Sequence, residues 1–221
     1  MADYYNKGPL DGFALKILAV VTMLIDHTGL IFFPDYVFLR YIGRISFPIF
    51  AFLIAEGCYH TSNIGKYFKR MLLFACITEI PFDLAFYGRI YIGHQNVLFT
   101  FALAIAAVWI LRKYGQIAGF AAIIATALGA DLLQTDYGAF GVMLVMIFVF
   151  TMQELRIRIL AGTAFSVGMT LSYQRLCALA MIPIALYNGQ RGRNMKYLFY
   201  VIYPGHLFVF WLIELLLKQV L

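Results

Sequence analysis

From end to end the chain alternates long apolar runs with short polar joints. Apolar residues dominate 14–33, 45–59, 67–86, 96–111, 117–133, 138–152, 159–172, 175–186 and 197–217. Spanning a bilayer takes about 20 mostly apolar residues, within a range of about 17–25. The pattern predicts an all-α, polytopic transmembrane helical bundle of about nine spans, and the short second, seventh and eighth runs leave eight or ten open. Helices are the required element, because a helix satisfies its own backbone hydrogen bonds where no water reaches. A membrane barrel would alternate apolar and polar positions along each strand, whereas these runs are continuously apolar. Pro48, Pro81, Pro183 and Pro204 lie inside runs, and each is expected to kink or break its helix. No long hydrophilic stretch or evident repeat divides the sequence, so residues 1–221 read as a single integral membrane domain.

Composition identifies the solvent. The chain is 63% hydrophobic and 13% charged, with a mean hydropathy of +0.83. Soluble domains are about 45–50% apolar and about 25% charged, and 221 residues are too few to hide this excess from water. The net charge of +6 sits in short basic clusters between runs rather than in a groove with interleaved aromatics, which argues against nucleic acid as a partner. With nine spans, Lys66, Lys69, Arg70, Arg112, Lys113, Arg156, Arg158, Arg191, Arg193 and Lys196 share one side. Arg40, Arg44, Arg89 and Arg175 fall in the loops on the other side. The positive-inside rule then expects a cytoplasmic N-terminus, and the expected location is the bacterial inner membrane. The first run is too long for a signal-peptide core and reads as a retained span. Cys58, Cys76 and Cys177 show no metal-binding or redox spacing and read as packing residues, so no metal is expected.

Ionisable side chains inside these runs carry the chemical signal, since each costs at least about 2.5–3.5 kcal/mol near the bilayer centre. Asp26 and His27, in MLIDHTG, are adjacent and point about 100° apart on a helix. An imidazole near a carboxylate suits general-base work; an interhelical hydrogen bond is the plainer reading. Arg40 and Arg44 are four apart and suit an anionic group or Asp26, or else anchor at the interface. Glu56 and His60 share a helix face, as do Glu79 and Asp83 on either side of Pro81. Glu56 and His60 fit a substrate role or polar helix packing. Glu79 and Asp83 suggest a cavity wall that binds an amine or pairs with Arg40 or Arg44, or else a buried ion pair that fixes helix register. His94, Gln95 and Asn96 open the fourth run. Under nine spans they lie toward the same membrane face as His27, Asp83, Asp131 and Asp136. His206, beside Pro204 and Gly205, reads as a packing residue. The sequence carries no P-loop, nucleophile elbow or zincin motif.

The segments FALKILAVVTMLIDHTGLIFFP, YIGRISFPIFAFLIAEGCYHT, TEIPFDLAF, HQNVLFT and DYGAFGV resemble the TraX family in order across residues 15–142, with an echo in YPGHLFVFW. The family's namesake acetylates the N-terminus of a conjugative pilin. The family also resembles membrane acyltransferases that draw on a coenzyme A thioester and use an embedded histidine. That resemblance implies a membrane acetyl- or acyltransferase with acetyl-CoA as the donor substrate. His27 and Asp26 would be catalytic, with Arg40, Arg44, Glu56, Glu79, Asp83, Gln95 and Asn96 near the substrate. The basic residues Lys69, Arg70, Arg191 and Arg193 would meet the donor's phosphates. The acceptor would be a pilin-like peptide, a small amine or a glycan, and lipid surrounds the whole. A proton-coupled transporter and a non-catalytic assembly factor stand as alternatives.

Overall fold

The computed structural model describes residues 8–169, 172–193 and 196–220. Helices α1 (Gly12–Phe32), α2 (Val37–Gly43), α3 (Ser46–His60), α4 (Ile64–Tyr87) and α5 (Val97–Tyr114) come first. Helices α6 (Gln116–Leu132), α7 (Gly138–Phe150) and α8 (Leu155–Met169) follow, then a 3-10 segment (Ser172–Ala180), α9 (Met181–Ala185) and α10 (Lys196–Val220). Among the described residues the chain forms no strand, only two isolated bridges, Leu10 with Tyr187 and Gln95 with Thr135. It is an all-α bundle and a membrane protein. Gly12–Phe32, Val37–His60, Val97–Tyr114 and Tyr200–Gln219 are long and apolar enough to cross a bilayer. Large apolar side chains also face outward, Ile117 at 90% and Leu132 at 84% exposed, as a lipid-facing surface requires.

Each predicted run contains helical structure, with two corrections. The second begins before residue 45, as short α2, and breaks at Arg44 and Ile45 before α3. The eighth is mostly 3-10 helix leading into α9. Residues 170 and 171, at the end of the seventh, lie outside the described residues. The prolines divide into two kinds. Pro48 and Pro183 stand in the first turns of α3 and α9, each just after the interruption of α-helix that a proline was expected to cause. Pro81 and Pro204 lie inside α4 and α10, which continue through them.

Helix α3 is the hub, touching α1, α5, α7, the 3-10 segment and α9. Its small residues Ala51, Ala55 and Cys58 are buried and let the neighbouring helices approach closely. Around them pack Leu15, Phe52, Ile105, Leu144 and Phe148. Helix α10 lies at the periphery against α4 and α1, where Leu207 and Tyr203 close a second core with Met23, Phe82 and Ala85. Helix ends are set by side-chain caps. Asp11 accepts from Ala14 N at 2.7 Å, Asn63 from Lys66 N at 2.8 Å and Asn96 from Leu98 N at 3.0 Å. Helix α4 stops at Gly88, whose φ of 65° is the left-handed turn glycine adopts without strain.

Two loop dockings shape the ends of the bundle. Residues 186–190 pin themselves to the start of α1 through Leu10 N to Leu186 O, Asn188 N to Leu10 O and Gly12 N to Gln190 O. At the other end, Gln95 N donates to Gln134 O and Asp136 N to Gln95 O. The α4–α5 and α6–α7 loops are therefore held together.

Candidate functional site

Antiparallel packing of α1, α3, α4 and α5 brings the late part of α1 beside the early part of α3 and the end of α4. A cavity of about 460 Å³ opens there. Asp26, His27, Arg40, Arg44, His94, Asp136 and Tyr137 supply its polar wall. A second cavity of about 680 Å³ lies toward the opposite end, where α1 and α4 begin and α3 finishes. Lys16, Glu56, His60, Arg70, Arg191 and Arg193 are its charged or titratable lining. Met23, Phe50, Val97, Phe101 and Tyr203 line both cavities, so the two stand back to back across a single layer of mostly apolar side chains.

In the first cavity Asp26 does not serve His27. Its Oδ2 accepts from Arg40 Nη1 at 2.6 Å and from Arg44 Nη2 at 2.9 Å, and its Oδ1 accepts from Arg44 Nη2 at 2.8 Å. Arg40 also reaches the Asp26 carbonyl at 3.2 Å, and Arg44 Nε reaches the Arg40 carbonyl at 3.3 Å. Asp26 and Arg44 are 7% and 6% exposed, so this is a buried three-residue clamp joining α1 to the α2–α3 break. Gly43 makes it possible, since a Cβ there would stand 2.1 Å from Asp26 Oδ1. The helix is interrupted here four residues before Pro48, whose ring has no N–H to give the Arg44 carbonyl.

His27 points elsewhere, as the 100° step between neighbouring residues demands. Its Nδ1 lies 2.7 Å from Nε2 of His206 on α10, and the rings stack with centroids 5.0 Å apart at 13°. Nδ1 of His206 lies 2.9 Å from the Ile202 carbonyl. Phe86 meets the His27 ring edge-on at 5.2 Å, and Tyr203 lies 6.4 Å from it.

The third polar element is Asp136. Tyr137, its neighbour, holds a left-handed φ of 66° that a bulky residue rarely adopts. The strain is held by stacking of the Tyr137 ring on Phe47, 3.6 Å between centroids at 5°. Thr100 donates to the Asp136 carbonyl, and this backbone arrangement turns the Asp136 carboxylate to the cavity. Burial pushes that carboxyl above its ordinary range, while the His94 and Arg44 charges pull it back.

The TraX protein family matches residues 11–214. The chain belongs to the TraX family. One relative, from Dichelobacter nodosus, is described as "Probable fimbrial assembly protein FimC, serogroup H1". It is 28% identical over 225 residues, covering 88% of this chain and 92% of that protein. A second, uncharacterized protein RP591 of Rickettsia prowazekii (strain Madrid E), is 35% identical over 72 residues, 33% of this chain and 27% of its own length. No solved structure matches.

Within this TraX-family chain the residues singled out by sequence separate into three groups. Asp26, His27, Arg40 and Arg44 meet in the first cavity. Glu56, Arg70, Arg191 and Arg193 meet in the second, where the Tyr187 hydroxyl donates to Glu56. Glu79, Asp83, Gln95, Asn96 and Lys69 are not among the residues lining either cavity. Glu79, Asp83, Gln95 and Asn96 make hydrogen bonds that hold helix ends and loops. Glu79 Oε2 accepts from Asn96 N at 3.1 Å and from Asn96 Nδ2 at 2.5 Å, which fixes the cap of α5. Asp83 Oδ2 accepts from Tyr91 N at 2.9 Å, and Gln95 joins the two loops. Lys69 is exposed on the outer face of α4. Of the residues expected together at that membrane face, His27, His94 and Asp136 line the first cavity, whereas Asp83, Gln95, Asn96 and Asp131 do not.

Sequence reasoning ranked His206 too low and gave Lys16 and Tyr137 no role. Lys16 carried a usable signal, a lone cation early in the first apolar run. His206 carried none that reading along the chain reveals, because its partner is 179 positions away.

Proposed function

We propose that this protein is a CoA-dependent membrane acyltransferase that passes an acetyl group from a thioester in the second cavity to an amine in the first. The carrying observation is the pair of cavities back to back, one rich in cations and the other holding His27. Lys16, Arg70, Arg191 and Arg193 suit the phosphates of a nucleotide thioester. The acyl end would pass between Met23, Phe50, Val97, Phe101 and Tyr203 to reach His27.

In the proposed reaction the acceptor nitrogen attacks the thioester carbon while Nε2 of His27 removes the proton from that nitrogen. The carbonyl oxygen becomes an oxyanion, stabilised by the Arg44 guanidinium on the same wall. Collapse breaks the carbon–sulfur bond, and the departing thiolate takes the proton from the His27 imidazolium. The products are an acetylamide and the free thiol, and His27 returns to its neutral form. Asp136 suits an incoming ammonium group, since Asp26 is already held by two arginines; its carboxylate would take the first proton, so that the nitrogen attacks as a neutral amine and His27 removes the second.

The basic loops support a cytoplasmic second cavity, with the N-terminus on the same side. The relative described as a fimbrial assembly protein supports the free N-terminus of a pilin-type subunit as the acceptor. The decisive assay uses the purified protein in lipid nanodiscs with radiolabelled acetyl-CoA and synthetic peptides bearing a free or a blocked N-terminus. Label should pass to the free amine alone and should be lost in His27→Ala. Undiminished transfer by His27→Ala would sink this reading.

A further inference from the structure

The chemistry asked of His27 depends on which ring nitrogen carries its proton. A neutral imidazole donates from one nitrogen and accepts at the other, and the partner of the first decides the basicity of the second. At His27 that partner is not a carboxylate, because the carboxylate next to it in sequence is taken up by Arg40 and Arg44. It is a second histidine from the far end of the chain.

The direction of the relay follows from its last member. The Ile202 carbonyl oxygen can only accept, so His206 Nδ1, 2.9 Å away, carries a hydrogen. In neutral His206 the remaining nitrogen, Nε2, is then a lone pair. Only a donor can face that lone pair at 2.7 Å, so His27 Nδ1 carries the hydrogen between the two rings. The lone pair of His27 is thereby left on Nε2, which makes no hydrogen bond among the described residues. Near-parallel stacking of the rings, with the edge of Phe86 against His27, removes the rotational freedom that would let the pair exchange roles.

We infer that His206 is a positioning residue that holds His27 in the Nδ1–H tautomer and so aims a basic Nε2 into the first cavity, as the orienting third member does in a nucleophile–base triad. A carboxylate would also attract the proton taken up by His27 and keep it. A neutral histidine anchored to a backbone carbonyl orients the ring without a fixed negative charge. This makes His27 a base that releases its proton readily to a leaving thiolate. The inference rests on the acyltransferase reading only for its kinetic consequence; the tautomer is a property of the resting protein.

The test combines both. Full-length protein labelled with ¹⁵N-histidine, in lipid nanodiscs without substrate, should show His27 protonated on Nδ1 and bare on Nε2. His206→Leu should move His27 toward the Nε2–H form, and His206→Gln, whose amide oxygen can occupy the place of Nε2, should restore it. In the transfer assay His206→Leu should lower kcat by about 10²–10⁴-fold with the KM for acetyl-CoA unchanged, and His206→Gln should recover much of the loss. A bond that merely holds α1 to α10 would change stability without changing the His27 tautomer. An unchanged His27 tautomer in His206→Leu overturns the inference, whatever the assay shows. A shifted tautomer in a protein that transfers nothing upholds it and removes the acyltransferase reading instead.

Discussion

At the scale of single residues, the first cavity separates stability from chemistry between two neighbours. Asp26 belongs to a buried clamp with Arg40 and Arg44, and breaking such a pair leaves a charge without compensation, at a cost of about 3–5 kcal/mol. Asp26→Asn is therefore expected to lower the thermal midpoint of the protein in detergent sharply. Gly43→Ala should do the same, since a Cβ there meets the carboxylate. Arg40→Ala should cost less, because its side chain is 19% exposed and partly solvated. His27→Ala breaks a neutral hydrogen bond to His206 rather than a charged clamp, and should cost about 1–3 kcal/mol, less than Asp26→Asn. Asp136→Asn belongs with the chemistry. It should raise the KM for an amine acceptor and leave the KM for acetyl-CoA alone, measured in the same peptide assay.

At the scale of elements, hydropathy gave the bundle away and hid its joints. The nine apolar runs all contain helix, because a segment that must leave water closes its own hydrogen bonds whatever its neighbours do. The break between α2 and α3 was marked by Pro48, and what the spacing left open at Arg40 and Arg44 was the choice between Asp26 and an anionic ligand. The same limit applies to Glu79, Asp83, Gln95 and Asn96. Their cost in a membrane marked them as partnered, but spacing along one chain cannot say whether the partner is a substrate or the next loop. Here the partner is the next loop, and the consequence is testable. Asn96→Ala removes the cap of α5 and its bonds to Glu79 and Ala75, and should cost about 0.5–2 kcal/mol in a denaturation experiment.

At the scale of the molecule, the two cavities define two ends. The docking of residues 186–190 on the start of α1 carries Arg191 and Arg193 to the second cavity, where Lys16 and Arg70 already stand. In the proposed reaction Arg70→Ala with Arg191→Ala should raise the KM for acetyl-CoA while sparing kcat. The loss should be most visible at low ionic strength, where exposed charges are least screened. Phe50, which lines both cavities, should set how much of the acyl chain fits between them. Phe50→Ala should shift the ratio of kcat/KM toward donors longer than acetyl.

That shared layer of Met23, Phe50, Val97, Phe101 and Tyr203 also bears on the barrier the membrane maintains. If the donor stays at one end and the acceptor at the other, neither molecule has to cross the bilayer. What crosses is a two-carbon fragment, handed from one bond to another through a wall of apolar side chains. In the proposed reaction, a cell would then modify a molecule on the far side without spending its ion gradients on moving the reagent.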